Sequence, residues 1–136
     1  MAEKGLNIVR QVENKLQGKG IKFIYAQNVP HQDMPKYYQM ADVVIIPSVY
    51  SESFPIVVIE AASCGCAIMV TDKGSLPELV KDFGFIAGES VGYVWGFEQG
   101  LLCFCQDKDA LKVNQQRAFE YAKIYFSRRN AEIFLE

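Results

Sequence analysis

The stretch Pro47-Ser48-Val49-Tyr50-Ser51-Glu52-Ser53-Phe54-Pro55-Ile56-Val57-Val58-Ile59-Glu60-Ala61-Ala62-Ser63-Cys64-Gly65 decides how the chain is read. It follows Val43-Val44-Ile45-Ile46, an apolar run too short for a helix and β-branched throughout, which reads as a buried parallel strand. Pro47 ends that strand because it has no N–H for the ladder. A polar loop follows, and then a helix. Ser53 is a good N-cap, and Pro55 fits the first turn, where its missing N–H would have no partner. Gly65 is the expected helix stop. The loop therefore joins the carboxyl end of a strand to the amino end of a helix, which is where open α/β sheets hold ligands.

Glu52 precedes this helix and Glu60 lies inside it, between Ile59 and Ala61. From Phe54 to Glu60 the helix rises roughly 9 Å. The helix is apolar on nearly every side from Ile56 to Ala62, which implies burial, so a lone Glu60 needs hydrogen-bonding partners. The free N–H groups from Ser53 to Ile56 can hold an anion, aided by the helix dipole. An anion site beside one carboxylate, with a second about a sugar diphosphate away, suggests a nucleotide-sugar site.

These residues also carry a resemblance. Glu52 and Glu60, seven residues apart, lie between Pro47-Ser48 and Glu60-Ala61-Ala62-Ser63-Cys64-Gly65. This resembles the E-x7-E signature of retaining GT-B glycosyltransferases, in particular the large family-4 class. Thr71-Asp72-Lys73-Gly74-Ser75-Leu76-Pro77-Glu78-Leu79-Val80 is similar to the family's T-D-x-G-x-x-P-E-x-V segment, and Ala41-Asp42 to the A-D step before its P-S strand. The resemblance implies the carboxyl-terminal, donor-binding half of a GT-B fold: an α/β, Rossmann-like three-layer αβα sandwich around a parallel sheet. The implied substrate is a nucleotide diphosphate sugar, such as a UDP or GDP sugar, with no cofactor or metal required.

Carried over by position, Glu60 would accept the ribose hydroxyls, and Glu52 would act catalytically by contacting the donor sugar and stabilising its charge. Ser53, Phe54, Pro55 and Ile56 would bind the donor through the helix start, and Ser48 would add a hydroxyl. Pro55 removes one N–H donor there. Lys4, in Lys4-Gly5, would touch the diphosphate; the alternative is a solvated lysine near a terminus. The Arg-bearing strand that precedes Lys-Gly in the family has no counterpart here, so the chain is expected to begin inside a domain. The loop with Asn28 and Val29 would contact the nucleotide base.

The composition agrees with one globular domain. Of 136 residues, half are hydrophobic and 22% charged, which is ordinary for a folded domain. A net charge of −2 without a basic stripe gives no support for a nucleic-acid partner. No run approaches the ~20 apolar residues of a membrane span. A cytoplasmic location follows as the expectation, membrane-peripheral in the parent enzyme. The partners expected are the nucleotide sugar and an amino-terminal acceptor domain, with self-association through the uncovered interface. The four cysteines, Cys64, Cys66, Cys103 and Cys105, lack zinc spacing and read as reduced packing thiols.

The rest of the chain is read by periodicity. A helix carrying Leu6, Ile8, Val9, Val12 and Leu16 ends near Gly18, and Ile21–Ala26 reads as a strand. Met34–Met40 is a short helix. His31, the single histidine, reads as a surface loop residue. Ala67–Thr71 is a buried parallel strand and Leu76–Val80 a short helix, with Glu78 a first-turn acid. Residues 83–88 form a weaker strand. Helices follow over 93–106 and 107–126, with Asp107-Lys108-Asp109 a capped first turn and no metal site. Ser127 is expected to cap a last helix, 127–136, resembling the family's crossover tail. Two alternatives stay open: a binding or interaction module that catalyses nothing, and a different GT-B enzyme such as a phosphorylase or epimerase.

Overall fold

The computed structural model describes residues 2–26, 28–49 and 56–135, with side chains described over 5–26, 28–49 and 56–125. Helix α1 (Ala2–Lys15) comes first, and a 3-10 turn (His31–Asp33) leads into α2 (Met34–Met40). Then β1 (Val43–Ile46), α3 (Ile56–Ser63), β2 (Ala67–Thr71), α4 (Leu76–Val80) and β3 (Phe85–Ala87) alternate. Helices α5 (Tyr93–Gln106) and α6 (Lys108–Leu135) complete the fold.

The described strands form one parallel sheet in the order β1-β2-β3, with Val43 paired to Ala67 and Met69 to Phe85. Parallel neighbours need crossovers, and α3 and α4 supply them. Every residue of β2 is buried, because helices cover both faces of the sheet. Side chains alternate between two cores. Ile46, Ile68 and Val70 face Val58, Ile59, Leu76, Val80, Ala118 and Ala122. Ala67, Met69 and Ala87 face Val12, Leu16, Phe97, Leu101 and Phe104. The expected three-layer α/β sandwich is therefore present.

Three expectations need correction. Ile21–Ala26 is not a strand. Its alternating apolar side chains serve one-sided packing: Ile21 and Phe23 join the core under α1, and the Tyr25 hydroxyl donates to Glu13 Oε1 at 2.7 Å. The strand-like pattern reports a half-buried surface, which does not by itself require a ladder. Val43–Ile46 is half-buried for three of its four residues, because β1 is an edge among the described residues. Finally, α6 runs unbroken through residue 127, so no separate capped helix begins there. Ser127-Arg128-Arg129 contains neither Pro nor Gly, and a serine inside a helix costs only a few tenths of a kcal/mol, too little to end one. The predicted start of α6 is observed: Asp107 Oδ1 accepts the Ala110 N–H at 3.1 Å.

Helix α5 lies close to the sheet because Gly96 and Gly100 face it. A methyl group at Gly96 would sit 2.9 Å from Ala87 Cβ, and one at Gly100 would overlap Met69 Cε and lie 3.0 Å from the Phe85 ring. Gly100→Leu should lower stability in urea denaturation by about 1–3 kcal/mol, the usual cost of overpacking. Combined with Met69→Ala, which opens space at the same contact, the loss should be smaller than the sum of the two single changes.

Candidate functional site

The carboxyl ends of β1 and β2 are joined by one buried hydroxyl. Thr71 is wholly buried at the end of β2, and its Oγ1 donates to the Ser48 carbonyl. A buried hydroxyl requires such a partner. The bond fixes the chain just beyond Pro47, where the polar loop begins. Helix α1 starts at the same place. A Cβ on Gly5 would come within 2.5 Å of the Pro47 carbonyl oxygen, so only glycine lets these backbones approach. The predicted Lys4-Gly5 step and the Pro47-Ser48 step are thus neighbours. The Lys4 side chain, and all of Glu52, Ser53, Phe54 and Pro55, lie outside the described residues.

Helix α3 carries Glu60 away from this point. Val58, Ile59, Ala61 and Ala62 are buried as expected, whereas Ile56, at its start, is 56% exposed. The helix ends in a Schellman motif, with Gly65 N–H donating to the Ala62 carbonyl, Cys66 N–H to Ala61, and Gly65 at φ +82°. Glu60 is the one acid among eight residues of α3, and its side chain keeps 23% of its surface exposed. Its partner is His31, whose Nε2 lies 2.8 Å from Glu60 Oε2.

That contact brings in the loop expected to meet a nucleotide base. Asn28 sits at φ +55°, a left-handed conformation asparagine tolerates, and is exposed; Val29 is half-buried. The loop runs through Pro30 into the 3-10 turn that presents His31. Tyr38, on α2, closes the far side. Its phenol is pushed up to about 12, first by burial and then by the charge of Glu60. The Cys66 thiol donates to the Tyr38 carbonyl at 3.0 Å and is pushed up to about 12, mainly by burial. Cys66 is a packing thiol, whereas Cys103 is exposed; all four cysteines are free.

A second polar cluster follows β2. Asp72 Oδ1 accepts the Tyr93 hydroxyl at 2.7 Å, and Asp72 Oδ2 accepts the Glu89 N–H at 3.0 Å. Lys73 Nζ pairs with the Glu89 carboxylate. The Tyr93 bond and then the Glu89 N–H hold the Asp72 carboxyl below its ordinary range. These contacts tie the loop after β2 to the start of α5. Glu78 is exposed in the first turn of α4, paired to Lys81 at 2.9 Å. Among the described residues, no three His, Cys, Asp or Glu side chains are placed to hold a metal ion. None of the described helices is long and apolar enough to cross a membrane.

Ser48 and Ile56 thus lie on the two sides of the β1–α3 connection, and the loop carrying Asn28 and Val29 leads to His31, which contacts Glu60 on α3. Sequence reasoning missed His31 and Thr71 as parts of this region. Thr71 was readable as the polar end of an apolar strand. No local signal joins His31 to a carboxylate 29 positions away.

Comparison with known proteins places this arrangement. A family model described as glycosyl transferases group 1 matches residues 5–119. The chain is 40% identical over 63 residues to the O-antigen chain mannosyltransferase B of Escherichia coli, a match spanning 46% of this chain and 16% of that protein. It is 43% identical over 51 residues to a D-inositol 3-phosphate glycosyltransferase of Mycobacterium sp. (strain KMS), spanning 38% of this chain and 11% of that one. Among solved structures it resembles a sucrose-phosphate synthase of Thermosynechococcus elongatus, with a TM-score of 0.62 and 19% identity over 93% of this chain and 34% of that one. It also resembles the carboxyl-terminal domain of a group 1 family glycosyl transferase of Francisella tularensis, with a TM-score of 0.61 and 19% identity over 90% of this chain and 64% of the other. At such identity these two likenesses establish the fold. The chain thus matches only a small part of the curated relatives' length.

Two stability measurements check this geometry. Gly5→Ala should cost about 1–3 kcal/mol in urea denaturation, because the new methyl meets a backbone oxygen that cannot rotate away. Tyr93→Phe should weaken the fold in a pH-dependent way. The depressed Asp72 carboxyl stabilises the fold above the ordinary carboxylate range of about 4, and this is lost as pH falls through its folded value. The stability gap between the native chain and Tyr93→Phe should therefore be larger at pH 6 than at pH 2.

Proposed function

The chain belongs to the glycosyl transferases group 1 family, and from that premise we propose that it is the donor-binding domain of a retaining GT-B glycosyltransferase. The supporting observation is Glu60, a partly exposed carboxylate on an otherwise apolar helix that leaves the carboxyl end of the sheet. Burial of a carboxylate is costly without hydrogen-bond donors, and a ribose offers two neighbouring hydroxyls. In this reading Glu60 accepts those hydroxyls. The loop at Asn28 and Val29 lies toward the base, because it leads directly to His31 and so to Glu60. The diphosphate lies at the start of α3, where free N–H groups and the helix dipole favour negative charge. Ile56 and its predecessors Ser53 and Phe54 supply the amides, Pro55 supplying none. Ser48 adds a hydroxyl and Lys4 a positive charge.

The chemistry is stabilisation of charge separation. As the bond from the anomeric carbon to the diphosphate breaks, negative charge grows on the leaving phosphate and positive charge on the sugar. Preorganised amides and Lys4 serve the first, and the Glu52 carboxylate the second. The acceptor belongs to a facing amino-terminal domain, so this chain alone binds donor without transferring sugar.

Calorimetric titration with UDP, GDP and ADP and their sugar derivatives tests the proposal. One nucleotide should bind, naming the base. Glu60→Ala should weaken it by about 10-fold or more, the worth of hydrogen bonds to a charged group. A folded chain that binds none of them at millimolar concentration would overturn the reading. Sugar transfer should appear only when an acceptor domain is supplied.

A further inference from the structure

We infer that His31 is a positioning residue that fixes the Glu60 carboxylate for the ribose diol of a nucleoside diphosphate, an inference that rests on the donor-site reading above. The two residues come from separate elements. His31 opens the 3-10 turn before α2, and Glu60 lies in the middle of α3. Their contact, 2.8 Å between Nε2 and Oε2, is within hydrogen-bonding distance. Exposure differs sharply across it: the imidazole keeps 75% of its side-chain surface exposed and the carboxylate 23%. His31 therefore lies over the solvent side of Glu60 and is not itself part of the core.

The chemistry of the pair explains why it can assist and not obstruct. A carboxylate has two oxygens and about four acceptor sites. His31 takes one of these sites, on Oε2. Two ribose hydroxyls need two acceptor sites, and these remain. The Nε2–H donor exists in the protonated imidazole and in the neutral tautomer protonated at Nε2, so the bond does not depend on charge. A glutamate side chain has a broad terminal torsion. Held by His31 on one side and by the apolar surroundings of α3 on the other, it loses that freedom before the ligand arrives. Preorganisation of this kind raises affinity by lowering the ordering cost of binding.

The experiment is calorimetry on the full 136-residue chain, with UDP, GDP and ADP and with the 2′,3′-dideoxy form of whichever binds. The variants are His31→Ala, His31→Gln and Glu60→Ala, each checked by thermal melting. His31→Ala should weaken the ribonucleotide by about 3- to 10-fold, the range expected for ordering one flexible side chain. His31→Gln, whose amide can donate to Oε2, should recover much of this. Against the dideoxynucleotide, the native chain and His31→Ala should bind alike, because no diol is present to be positioned for. Unchanged ribonucleotide affinity in His31→Ala, or an equal loss against both nucleotides, would overturn the inference while a Glu60→Ala loss leaves the donor site standing. If Glu60→Ala also binds like the native chain, or nothing binds, the donor-site reading fails and takes the role of His31 with it.

Discussion

The structure depends on burying β2 from both sides. Cys66 through Thr71 are all at most 1% exposed. A strand with helices on each face must present apolar groups alternately to both. Ala67 and Met69 seat α1 and α5, while Ile68 and Val70 seat α3, α4 and α6. The helix layers are therefore positioned by five consecutive residues. The last of these, Thr71, is polar, and its hydroxyl closes on the Ser48 carbonyl. The most deeply buried strand of the sheet thus holds the start of the loop at the candidate site. Gly5 adds a second restraint at the same place by letting α1 abut Pro47.

This explains which parts of the fold were legible. Val43–Ile46, β-branched throughout, and Ala67–Thr71 are short and largely apolar, and the structure makes strands of both. Gly65 reads as a helix stop because few other residues adopt a left-handed conformation cheaply, and a Schellman motif forms there. One failure had no local cause. Ile21–Ala26 has the pattern of a strand, but whether it joins a ladder depends on a neighbour far away in sequence. The unbroken α6 was obscured by weighting one serine as a cap, although a cap needs a preceding break that Ser127 does not have.

The candidate site divides in the same way. Glu60 stands out in the sequence because a charge inside an apolar helix demands an explanation. Its partner does not stand out, because a histidine in a polar loop has no pattern to violate. Yet His31 joins the loop after Asn28 to helix α3 through its contact with Glu60. Side chains brought together by tertiary structure from separate loops leave no spacing to count.

The two polar clusters at this end of the sheet differ in a way that bears on their roles. Asp72 is engaged on both oxygens, which accept bonds from Tyr93 and the Glu89 backbone, and Glu89 is itself paired with Lys73. Such a carboxylate secures the loop after β2. Glu60 has one side-chain partner among the described residues, on one oxygen, and part of its surface faces solvent. A carboxylate already fixed in place with acceptor capacity to spare is suited to receive hydroxyl groups. The cost of holding it at a half-buried position is met in part by His31. That contrast separates Glu60, on helix α3, from Asp72, which closes the loop after β2.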